Sequence, residues 1–289
     1  MASLLDAFVS DTDLIAAELR PPRATLGRRA GMDAWIDTYH AVRRLTRQRR
    51  WVFLTDSAVG SKEEDNLRHL AANVGRDVPL EHVVPFLTTK HPYAYCLGYA
   101  DRAVEHGFPA LVVLGGDKQV GPPRCVEHAW QLREAIRVRQ PSLRLGGWAN
   151  PHGDADRQAE YLADPRNTAE FYLTQIVSHH HMATVERFLR ALERQGVTIP
   201  GVFGVFYYRS ANRKTLAELS DFLPVPQEGL TAEFGSGLGP DAVCVRSILG
   251  LRSLGIRHVY VSNLPLARAH RTMPVLAAGV GAQSVGQIT

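Results

Sequence analysis

PALVVLGGD, Pro109 to Asp117, is the stretch from which the fold can be read. Leu111, Val112, Val113 and Leu114 run unbroken into Gly115, Gly116 and Asp117. A short all-apolar run closed by glycines predicts a strand buried on both faces, as in parallel sheets. The glycines let the backbone turn sharply where the strand ends. Asp117 then falls at the strand's carboxyl end, where α/β folds hold their ligands.

The same plan repeats on either side. DLIAAEL (13–19), WVFLT (51–55) and HVVPFLT (82–88) read as strands upstream; 143–149, EFYLTQ (170–175), 200–207 and RHVYVSN (257–263) follow downstream. Helices are predicted over 31–48, 62–74, 91–105, 124–139, 153–163 and 181–195. A longer helical region, 211–254, is broken around Pro224, Pro226 and the glycines of 235–239, and a last helix occupies 265–273. Eight short strands, each followed by a helix, predict an α/β chain forming a single (β/α)8 TIM barrel. Such strands pair in parallel through right-handed crossovers. No linker divides the chain, so residues 1–276 are expected to form one barrel domain. The small, polar segment 277–289 is expected to be a loose tail.

The bulk composition narrows the function classes. With 289 residues, 45% hydrophobic and 21% charged, the chain has material for a large core. A net charge of +4 is a mild excess that fits an anionic small substrate as well as nucleic acid, and we expect no nucleic-acid partner. Cys96, Cys125 and Cys244 are scattered and odd in number, which argues against a disulfide framework and for a reducing cytoplasm. The amino terminus lacks the pattern of a secretory signal, and no stretch approaches 18 apolar residues, so no membrane span is expected. A homo-oligomer is left open.

In a barrel the strand ends converge on one mouth. Here they supply Glu18, Thr55, Thr88, Asp117, Asn150, Gln175, Tyr207 and Asn263. Glu18 follows Leu14, Ile15, Ala16 and Ala17, so burial should raise its pKa towards the range useful for proton delivery; the alternative is a salt bridge to Arg20 or another arginine. Asp117 reads as a carboxylate accepting paired N–H bonds from a heterocycle, or as a turn former. Gln175 offers a donor and an acceptor to a flat ring, or ties neighbouring loops. Tyr207 or Tyr208 stacks on a ligand ring, or packs in the core. The run His179-His180-His181 suggests metal, but adjacent side chains are not expected to converge and no acid is suitably spaced, so no metal is expected. The glycines of GSGLG (235–239) lack the strand-then-helix setting of a dinucleotide fingerprint.

Taken in order, these segments resemble the methylenetetrahydrofolate reductase family. AAELRPPR (16–23) resembles its first strand, VPFLTT (84–89) its third, LVVLGGD (111–117) its fourth, YLTQ (172–175) its sixth and GIRHVYVSNL (255–264) its last. The resemblance implies that Glu18 is the catalytic acid and that Asp117 and Gln175 contact the pterin. Tyr207 is assigned to the substrate, and Thr55, Thr88, Gly116 and Asn150 to the cofactor. The family's arginine before Gly-Asp is Gly115 here, its third-strand histidine is Phe86, and the Tyr-Pro-Glu after its fifth strand is Asn150-Pro151-His152; the resemblance implies that several of these positions contact FAD in the family. Losing an arginine removes a charge-assisted anchor for a flavin. The resemblance therefore implies a flavin-independent reductase of 5,10-methylenetetrahydrofolate in one-carbon metabolism and methionine biosynthesis, with NADH or NADPH as hydride donor. The same reaction through FAD, a non-catalytic folate-binding barrel and a folate-dependent methyltransferase remain alternatives.

Overall fold

The computed structural model describes residues 4–9, 13–22, 26–56 and 78–286. Its eight strands are β1 Leu14–Leu19, β2 Val52–Leu54, β3 Val83–Thr88, β4 Ala110–Leu114, β5 Arg144–Ala149, β6 Phe171–Val177, β7 Gly201–Phe206 and β8 His258–Ser262. All pair in parallel and in sequence order, and β8 closes on β1. The expected (β/α)8 barrel is thus the fold. The predicted helix over 62–74 lies outside the described residues.

Alternation along the strands sorts the apolar residues into two layers. Ala16, Phe53, Phe86, Val112, Leu173 and Tyr260 point inward, while Ile15, Leu87, Val113, Phe203 and Val205 face the helical ring. The interior mixes very large with absent side chains. A Cβ on Gly146 would lie 2.6 Å from the Phe171 ring, and one on Gly204 would fall on the phenol oxygen of Tyr260. These two glycines leave room for the two aromatics. Tyr260 is fully buried and its hydroxyl donates to the Thr174 carbonyl at 2.6 Å.

A helix not foreseen from the sequence, α1 Leu4–Val9, seals the amino-terminal end of the barrel. Leu4 and Phe8 join the inner cluster, and His258 Nε2 donates to the Phe8 carbonyl at 3.0 Å. The last helix corrects the expectation of a loose tail, because it runs Ala269–Gly286 and continues past Pro274. Packing explains this. Leu276 and Val280 are buried, and Gly279 lies so close to Val245 that a Cβ would approach it to 2.9 Å. Small residues that look featureless in sequence allow this close helix contact. None of the helices in the described residues is long and apolar enough to cross a membrane.

Candidate active site

Glu18 occupies the inner face of β1 one layer above Ala16, beside Ser262 of β8. The Ser262 hydroxyl donates to Glu18 Oε1 at 2.6 Å. The carboxyl touches an open pocket but is otherwise deep in the protein, and this desolvation raises its pKa from 4.5 to about 7; the Ser262 bond and the charge of Arg20 oppose the shift. Burial therefore outweighs the pull of the Arg20 charge on this carboxyl. The carboxyl can hold a proton near neutral pH and release it into the pocket.

That pocket encloses about 720 Å³, the range of small-molecule sites. Glu18, Thr55, Asp56 and Ser262 line its polar side, Arg20 and Arg209 add positive charge, and Phe206, Leu219, Phe222 and Leu223 form an apolar wall. Phe222 is 73% exposed, unusual for so large an apolar side chain at a cleft. Asp56 was not singled out in the sequence beyond its place after β2. Its Oδ2 accepts from Thr88 N (2.7 Å), Thr88 Oγ1 (3.0 Å) and His91 Nε2 (2.8 Å). A fixed carboxylate thus ties the ends of β2 and β3 beside the acid. Thr88 is fully buried by this duty, whereas Thr55 reaches the pocket.

The other expected residues divide. Asp117 is on the surface of the β4 loop, where its Oδ1 accepts from Gln119 N (2.7 Å) and Val120 N (3.1 Å). Those bonds hold its pKa below the ordinary value, so it is ionised, and among the described residues Oδ2 accepts no hydrogen bond. Gln175 lies at an irregularity in the pairing of β6 with β7, and its Oε1 accepts from Ile176 N at 2.9 Å. Neither lines the Glu18 pocket: that pocket sits where β1, β2, β7 and β8 end, while Asp117 and Gln175 follow β4 and lie in β6. Between them β5 contributes Trp148, two residues beyond inward-facing Gly146 and so on the same face of the strand, where it is 37% exposed. Its indole is a flat platform that the motif reading missed; the signal was a lone aromatic after two strand glycines.

Tyr207 is a correction. Strand alternation puts Phe206 in the barrel and turns Tyr207 outward, where its hydroxyl donates to Asp241 at 2.7 Å. Asn150 caps its own turn, its Oδ1 accepting from His152 N at 3.1 Å. Gly116 has φ +69°, a conformation suited to glycine, and its carbonyl accepts from Arg124. Arg124 also revises the argument from Gly115. Its guanidinium carbon lies 2.8 Å from where a Gly115 Cβ would be, so a positive charge returns to that spot from another position.

The histidine run is a second correction. Ser178 starts a one-turn 3-10 helix, His179–His181, that brings the His179 and His180 rings to 4.1 Å. Both reach Glu233, more than fifty residues later: His179 Nε2 at 2.8 Å and His180 Nε2 at 3.2 Å. Adjacent side chains converge because the 3-10 turn is tight and Glu233 comes from a distant helix. The three cysteines are free, and burial pushes the Cys96 and Cys244 thiols up, away from reactivity.

No family model and no curated protein matches the sequence. Solved structures do match in shape. An uncharacterized protein from Clostridium thermocellum, which binds two copies of 5-methyl-5,6,7,8-tetrahydrofolic acid, superposes with a TM-score of 0.69 over 96% of this chain and 99% of its own, at 13% identity. A structure from Aquifex aeolicus VF5 superposes with a TM-score of 0.52 over 96% of this chain and 94% of its own, at 10% identity. UMP synthase of Leishmania donovani gives 0.51 over 96% of this chain and 56% of its own, at 13% identity. At these identities the likeness is one of fold.

Proposed function

We propose that this barrel reduces 5,10-methylenetetrahydrofolate to 5-methyltetrahydrofolate, taking hydride directly from NADH or NADPH. The observation that carries the reading is Glu18, a carboxylic acid protonated near neutral pH at the edge of a ligand-sized pocket. The family resemblance of the strand-end motifs and the folate bound by the similarly folded clostridial protein both favour a folate ligand.

In this reading the pterin lies across the mouth. Trp148 supplies a stacking face, and Asp117 Oδ2 and the Gln175 amide bond the ring's polar edge. Glu18 protonates the bridging nitrogen, the five-membered ring opens, and a methylene iminium cation remains on the pterin nitrogen. Bound NADH or NADPH would supply the hydride to that carbon, and Phe206, Leu219, Phe222 and Leu223 would hold its nicotinamide. The products are the methyl group and oxidised nicotinamide, and Glu18 regains its proton from water. Holding two flat rings in contact converts a bimolecular step into an effectively unimolecular one. Arg20 and Arg209 complement the cofactor's phosphates.

The deciding experiment joins a spectrum to an assay. The purified protein should show no flavin bands, and NAD(P)H absorbance should fall when methylenetetrahydrofolate is added. Flavin bands would assign the hydride to FAD; Arg124 at the Gly115 position is the feature that favours this second reading. Folate binding without NAD(P)H oxidation would leave a binding barrel.

Asp117→Asn should weaken 5-methyltetrahydrofolate affinity by about 10-fold or more, the effect of a lost charge-assisted bond, with little change in turnover at saturation. Calorimetric titration checks this, and an unchanged Kd would remove Asp117 from the site.

A further inference from the structure

We propose that His179, His180 and Glu233 bind one divalent transition-metal ion, with Zn2+ the best chemical match. The site is separate from the Glu18 pocket and does not depend on the reductase reading. Two imidazole nitrogens and a carboxylate oxygen are a zinc donor set, and three protein ligands leave a fourth position for water. Among the described residues these three side chains place ligand atoms within 4.8 Å of one another. The Nε2 atoms stand 2.8 and 3.2 Å from the two carboxylate oxygens. Ligands on a tetrahedral zinc are separated by roughly 3.3 Å, so small side-chain adjustments admit the ion.

The surroundings are built for the two rings. The His180 ring sits against Gly229, where a Cβ would strike it, and His179 packs on Gly250, where a Cβ would come within 3.3 Å. Ser247 Oγ lies 2.9 Å from His179 Nδ1 and fixes that ring's direction, as partners of metal-bound histidines do. Arg246 opposes the ion: its Nη1 donates to Glu233 Oε1 at 2.9 Å. Its side chain is 51% exposed and can swing into solvent as the ion takes its place. Binding replaces the His–Glu hydrogen bonds and releases their protons.

The test uses the full chain without added histidines, stripped with a chelator and titrated with Zn2+ or Co2+. Expected are one ion per chain, a visible Co2+ spectrum of four-coordinate type, and a melting temperature about 5 °C higher at a hundredfold excess over Kd. Ser247→Ala should weaken binding about 10-fold, and Arg246→Ala should tighten it. His180→Ala and Glu233→Gln should each abolish the Co2+ spectrum. No stoichiometric uptake by the parent chain, or an unchanged spectrum in His180→Ala, whose ring lies near the surface, overturns the proposal.

Discussion

Glu18→Gln should lower turnover by about 10²- to 10⁴-fold, the contribution of a positioned proton donor. Folate binding should survive, because the amide keeps the size of the side chain and can still accept from Ser262. In the proposed mechanism the protonated acid is the active form, so kcat/KM should fall as pH rises through about 7. Stability should move with it. A folded pKa raised from 4.5 to about 7 means the native state holds this proton more tightly than the unfolded chain. The group's favourable contribution is complete below pH 4.5 and is lost as pH rises through about 7. The loss is at most about 3 kcal/mol, reduced because the carboxyl reaches water through the pocket. Glu18→Gln should therefore flatten the stability profile between pH 5 and 8 while removing activity. Equal loss of folding and turnover at every pH would return Glu18 to a structural role.

Gly204→Ala should be strongly destabilising. The new carbon would fall on the Tyr260 phenol and come within 3.0 Å of Ile176. Tyr260 has no room to retreat, since it is fully buried and its hydroxyl is spent on Thr174. Overpacking costs about 1–3 kcal/mol, and a buried hydroxyl without its acceptor about as much again. The melting temperature should drop by roughly 10 °C. Gly235→Ala, at a helix end with nothing within 4 Å, is the control and should leave stability unchanged or slightly raised. Equal melting curves for the two variants would refute the packing account.

The strands were legible because an unbroken apolar run such as Leu111–Leu114 has little alternative to a doubly covered strand. Glu18 was legible for the same reason: a lone acid after four apolar residues must be desolvated. Tyr207 was not, because a residue one past the strand's end is assigned a face only once alternation is anchored by Phe206. Asp117 and Gln175 were placed at the right end of the barrel, but its mouth is wide, and strand number decides which half of the rim a residue serves. The Glu233 cluster was hidden because its members lie far apart in sequence and meet only after two helices have docked. The ordered end of the last helix was hidden because alanine and glycine carry no periodic signal, though they permit the closest packing.

The acid and the serine that steadies it lie on the first and last strands, either side of the seam where the ring shuts. A growing chain therefore makes Glu18 early and its partner Ser262 more than two hundred residues later. On the proposed mechanism, proton delivery cannot be assembled piecemeal: without the final strand the carboxyl would meet water and keep an ordinary acidity. Under that mechanism, activity would report completion of the whole ring, and changes that loosen the closing seam should be felt in chemistry before they are felt in folding.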